Sequence, residues 1–156
     1  MKKSVAVLAV SAASLTAMPA VASAKTLSLF SKPIAEVGGP FDPNGNPLQT
    51  FPPPVGSYFV GGDRLYKGTA KHHARGVFGY DHIVCTILDL NANARCNADV
   101  VLRNGAVYAT NFPLKLDAQD QVITTGLFGI GRYRHVKSIT NHNIGNTDNS
   151  VLTIRY

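Results

Sequence analysis

Residues 77–112, VFGYDHIVCTILDLNANARCNADVVLRNGAVYATNF, read as three strands joined by two turns. In the middle run Ala94, Cys96, Ala98, Val100 and Leu102 fall on one face, and Arg95, Asn97, Asp99 and Arg103 on the other. That two-residue period belongs to a strand with one buried face. Asn104-Gly105, set between two alternating runs, is the dipeptide of a type I′ hairpin turn. A turn there places Arg103 opposite Ala106, Leu102 opposite Val107, Val100 opposite Ala109 and Ala98 opposite Asn111.

The cysteines tie the first strand of this unit to the middle one. Cys85 and Cys96 are the only two in 156 residues. A disulfide between them requires the two to be roughly opposite, which sets Ile83 near Ala98 and Asp81 near Val100. A catalytic thiol or metal ligand is the alternative, and no histidine stands at a recognisable spacing from either sulfur. The disulfide is favoured by the N-terminus. Met1-Lys2-Lys3 is followed by an apolar stretch from Val5 to Val21 and by Ala22-Ser23-Ala24, the pattern of an export leader with an A-x-A cleavage site. Residues 1–24 are therefore expected to be a signal peptide, with the protein secreted to an oxidising, extracellular compartment. The stretch is too short and too rich in Ala and Ser to anchor in a membrane, so no stable membrane anchor is expected after cleavage.

Outward from this unit, strand-like runs recur. Residues 26–31 and 58–67 precede it, and 121–125, 133–141 and 150–156 follow; no amphipathic helix of three turns can be drawn in residues 25–156. The 14 Gly, 9 Pro and 45% hydrophobic residues fit a β-rich packed domain and not a disordered chain. Residues 33–56 hold seven of the nine prolines and the Gly38-Gly39 pair. They read as a long irregular loop, of the kind that serves as a lid or stays mobile. The expectation is all-β: one domain over residues 25–156, an eight-stranded antiparallel barrel of calycin type whose closure removes exposed edges.

Both register derivations put the same residues inside. Asp81, Ile83, Cys85, Ile87, Cys96, Ala98, Val100, Leu102, Val107, Ala109 and Asn111 share the inner face, apolar except for one carboxylate and one amide. An eight-stranded barrel has room for side chains or one small ligand. Burial raises a carboxyl pKa, so Asp81 is a candidate acid/base, and Asp63 joins it on the face shared by Phe59 and Leu65. Asn111, Phe59, Leu65, Ile83, Val100 and Ala109 are the candidate ligand contacts.

Other chemistries find little support. His72, His73, His82, His135 and His142 show no metal-site spacing, so no metal and no cofactor are expected. A basic cluster, Arg132-Tyr133-Arg134-His135 with Lys137, suggests contact with an anion or a polysaccharide; the formal charge of +6 falls to +4 without Lys2 and Lys3. No nucleic-acid motif accompanies it, and nucleic acid is not an expected partner.

Three segments resemble the allene-oxide-cyclase-like barrels, whose relatives include the dirigent proteins. GSYFVGGDRLY at 56–66 is similar to their early strand, and GYDHIVCTIL at 79–88 to the next long strand with its cysteine. GLFGIGRYRHVKS at 126–138 is similar to their glycine-rich turn and the strand after it. The resemblance covers about two-thirds of the chain, and implies an eight-stranded antiparallel barrel, often trimeric, with a largely apolar cavity. Plant cyclases of this type fold a fatty-acid epoxide by confinement, dirigent proteins steer radical coupling, and bacterial relatives cyclise polyketide-type molecules. Residues 26–31 lack the cyclases' first-strand Glu, and Asp63 stands where the cyclases hold their ligand with Asn. The expectation is therefore a secreted barrel, homotrimeric on the resemblance, that binds a small apolar molecule. If it is an enzyme, it is a cofactor-free cyclase or isomerase. The alternatives are a lipocalin-like carrier without catalysis and a structural barrel with a filled interior.

Overall fold

The computed structural model describes residues 24–49 and 53–156. The expected export leader, Ala24 apart, lies outside the described residues. Among the described residues nine strands follow one another: β1 (Thr26–Phe41), β2 (Tyr58–Gly68), β3 (His73–Ile87), β4 (Asn93–Leu102), β5 (Gly105–Lys115), β6 (Asp120–Ile123), β7 (Leu127–Gly131), β8 (Ser138–Asn143) and β9 (Ser150–Arg155). They form one antiparallel sheet in the order β6-β8-β9-β1-β2-β3-β4-β5-β7. The sheet curls until its two ends meet. The Gln121 side chain on β6 donates to the Lys115 carbonyl on β5, and Phe112 and Leu114 share a core with Ile123 and Ile139. The result is a nearly closed barrel.

The strand count corrects the expected eight. The glycines at 126–131 read as a turn, yet they build β7 and let it lie close to its neighbours. A Cβ at Gly129 would stand 1.9 Å from the Tyr133 carbonyl oxygen, and one at Gly105 2.2 Å from that of Ile130. Only glycine permits such backbone approach. The chain then reverses through Tyr133 to Val136, and β8 begins at Ser138, later than the expected 133.

Residues 33–41, assigned to the irregular loop, belong to β1. Beyond Ser31 the strand no longer pairs with β9, so Pro33 and Pro40 sit where one side of the ladder is free, and a missing N–H costs little. A bulge between Pro33 and Gly38 restores pairing, with Gly38 opposite Gly61 and Phe41 opposite Tyr58.

The β3–β4 register is as expected: Cys85 faces Cys96 and the two are joined in a disulfide, Ile83 faces Ala98, and Asp81 faces Val100. The β4–β5 register differs by two residues. The turn is Arg103-Asn104, and Leu102 faces Gly105 while Val100 faces Val107. A shift of two preserves the faces, so Val107 and Ala109 still point inward, both at most 1% exposed. One end of the barrel is solid, packed with Leu29, Leu65, Leu102, Val107, Tyr133 and Ile154.

Loops at the other end are stiffened by one device used twice. In Asp42–Asn46 (DPNGN) and Asp89–Asn93 (DLNAN) the aspartate accepts from the N–H groups two and four residues on, and from the side-chain amide of the latter. The asparagine amides hold both carboxyl groups below their ordinary pKa.

Candidate functional site

Above the solid end lies a cavity of about 710 Å³. Phe59, Ile83, Ala98, Val100, Phe112 and Leu114 give it apolar walls, and the exposed residues Pro33, Gly38, Gly145, Thr147 and Asp148 form its rim. Gly61 widens it: a Cβ there would stand 3.1 Å from Ile83 and 3.2 Å from Phe59.

Two acids enter this apolar wall. Asp63 on β2 and Asp81 on β3 are directly opposite, and the Asp63 N–H donates to Asp81 Oδ1 at 3.1 Å. The buried Ser31 hydroxyl, brought over from β1, donates to Asp63 Oδ2. No Lys, Arg or His forms an ion pair with either acid among the described residues. Burial, and then the negative charge of Asp63, push the Asp81 carboxyl up to about 8. Burial also raises Asp63, opposed by the Ser31 hydroxyl, which stabilises its ionised form. At neutral pH Asp81 thus keeps its proton while Asp63 is the better acceptor. Such a split between paired carboxyls equips one as acid and one as base.

Of the residues singled out from sequence, Asp63, Asp81, Phe59, Ile83 and Val100 line the cavity. Leu65 and Ala109 do not; they are 0% and 1% exposed and belong to the packed core. Asn111 is a correction. A bulge between Cys96 and Ala98 sets an extra residue of β5 against Asn97. Asn111 takes a φ of 50° and turns outward, its N–H donating to Asn97 Oδ1 and its carbonyl accepting from Arg95. The inner face then resumes one residue out of phase, at Phe112 and Leu114.

Polar groups that sequence reasoning missed come from the last strands. Gln121, Asn141 and Asn143 line the cavity, and Asn141 Nδ2 donates to Asn143 Oδ1 at 3.1 Å. Their alternation in short strands was the available signal. The cavity thus has an acid pair on β2–β3, amides on β6 and β8 and apolar walls between.

No protein-family model and no curated protein matches the sequence. Among solved structures, a pterocarpan synthase dirigent protein superposes with a TM-score of 0.51, covering 85% of this chain and 85% of its own, at 10% identity. This is a dirigent-like barrel. At that identity the likeness carries the fold alone, and the dirigent-like barrel places Asp63 and Asp81 midway along two of its long strands, facing inward.

Proposed function

We propose that this secreted dirigent-like barrel binds a small, largely apolar molecule and guides its cyclisation or coupling by confinement. The supporting observation is the unneutralised Asp63–Asp81 pair in an apolar cavity of about 710 Å³, a size ordinary for small-molecule sites. Walls that hold one reactive conformer remove entropy from the barrier. Protonated Asp81 donates to an oxygen of the guest as charge develops there, and ionised Asp63 accepts a proton released elsewhere on the molecule. An isomerisation run this way balances without an added oxidant. The amides of Asn141 and Gln121 orient the guest's polar end.

The test is native mass spectrometry of protein recovered from its producing cells, followed by turnover of whatever co-purifies. A bound apolar molecule that is converted supports the reading. A bound molecule returned unchanged leaves a carrier, and an empty barrel that excludes N-phenylnaphthylamine removes small-molecule binding. Assembly of copies is proposed through the outer wall, where exposed Tyr80, Val101 and Ile130 lie on β3, β4 and β7. Sedimentation equilibrium checks it, with a trimer expected.

A further inference from the structure

We infer that the solid end of the barrel, opposite the cavity, is a docking face for an acidic polysaccharide. The charges of this protein are sorted by end. The loops on the cavity side each carry an aspartate: Asp42, Asp89, Asp117 and Asp148. At the solid end, residues 67–76, 103–105 and 131–138 contain no Asp or Glu at all. They carry Lys67, Lys71 and Arg75 from the β2–β3 connection, Arg103 from the β4–β5 turn, and Arg132, Arg134 and Lys137 from the β7–β8 connection, all exposed. Lys25 and Arg155 add exposed charge where the chain's first and last described strands meet.

Hydrogen bonds join these pieces into one surface. Arg103 Nη2 donates to the Val77 carbonyl at 3.0 Å, bridging to the β2–β3 hairpin. The Arg132 N–H donates to Asn104 at 2.9 Å, and the Lys137 N–H to Arg155 at 2.7 Å. The Lys25 N–H donates to Tyr156 at 2.7 Å. The cations are therefore fixed on tight turns, and they ring the end of the barrel without converging on one point. A single small anion meets one or two of them, and an exposed pair contributes little. A polymer with a charge on every residue meets many at once, and multivalency sums the weak contacts. Five of the cations are arginines, whose planar fork matches a carboxylate.

Two other polyanions fit less well. A lipid surface favours apolar anchors among the cations, but exposed Val55, Leu88 and Leu90 lie in the loops on the cavity side, and Phe128 and Ile130 on the wall. Single-stranded nucleic acid needs free aromatic faces. Tyr133 is buried, and Tyr156 is already packed edge-on against it and covered by Arg132 at 5.9 Å. Export, as proposed above, puts the partner outside the cytoplasm, where acidic polysaccharides are found.

The experiment measures binding of the full chain to polygalacturonate, to the same polymer fully methyl-esterified, to phosphatidylglycerol-containing vesicles and to DNA. Binding to polygalacturonate that weakens at least tenfold between 50 and 300 mM salt, with none to the ester, is expected. Lys71→Glu, Arg103→Glu and Arg134→Glu combined lower that affinity at least tenfold, while Arg95→Glu with Lys115→Glu leaves it within twofold. N-phenylnaphthylamine uptake by the cavity stays unchanged in both, which separates this surface from the cavity reading. If the triple variant does not fold, Lys71→Ser and Arg134→Ser singly each reduce the affinity and its salt dependence. No binding to polygalacturonate at 50 mM salt, tighter binding to vesicles or DNA, or an equal loss in the control pair overturns the inference.

Discussion

Asp63 and Asp81 face each other across β2 and β3, and the backbone N–H of Asp63 is given to the carboxyl of Asp81 at 3.1 Å. The pairing puts two carboxyl groups in one apolar wall, with the Asp63 N–H donating to Asp81 and the Ser31 hydroxyl to Asp63. The pair therefore links proton uptake to folding.

The sign of that linkage follows from the direction of the shift. Asp81 titrates near 3.8 when unfolded and at about 8 when folded, so between those values the folded state binds the extra proton. Stability contributed by the protonated group is fully present below about pH 4 and is lost as pH rises to about 8. At about 1.4 kcal/mol per unit, this amounts to several kcal/mol. Asp81→Asn keeps the acceptor for the Asp63 N–H and removes the titration. Urea unfolding from pH 5 to 9 should show wild type losing clearly more stability than the variant, in which only the raised Asp63 of the pair still titrates. Parallel curves would contradict the assignment.

Filling the cavity should stop binding without unfolding the protein. Ala98 lines it at half-burial, so Ala98→Phe projects a ring into free space. Uptake of N-phenylnaphthylamine is expected to fall at least tenfold, with the thermal midpoint unchanged or raised. Retained uptake would show that the probe sits elsewhere.

The disulfide closes a loop with a sequence separation of 11, for which chain entropy suggests about 3 kcal/mol. Cys85→Ala with Cys96→Ala, both at buried positions, should lower the unfolding free energy by about 2–4 kcal/mol. Chemical denaturation measures this. A loss below about 1 kcal/mol would mean that the barrel alone constrains this hairpin.

Asn111 offers a contrast. Its side chain is outside and its φ is 50°, a conformation that Asn tolerates and β-branched residues do not. Asn111→Val should destabilise by about 1–3 kcal/mol and leave probe binding unchanged in the folded fraction. Lost binding at full folding would return this residue to the site.

What could be read from the sequence depended on local rules. The Cys85–Cys96 pairing set the β3–β4 register, and with it Asp81 opposite Val100, because two facing residues fix every other pair between straight strands. The β5 bulge broke the same reasoning at Asn111, since no Gly or Pro marks it; the left-handed tolerance of Asn was the only cue. The glycines of β7 looked like a turn because close backbone approach and chain reversal call for the same residue. Ser31 as the partner of Asp63 was out of reach: it depends on how β1 aligns with β2 across 32 residues. Asn141 and Gln121 were hidden because their strands are only six and four residues long.

Tyr133, 1% exposed and set edge-on against Tyr156 at 5.0 Å, stoppers the bottom of the barrel. The open way into the cavity is then past Pro33, Gly145 and Asp148. A tube open at both ends lets departing product clear the way for its successor. If the proposed turnover takes place, guest and product share that single doorway, and release through it competes with entry.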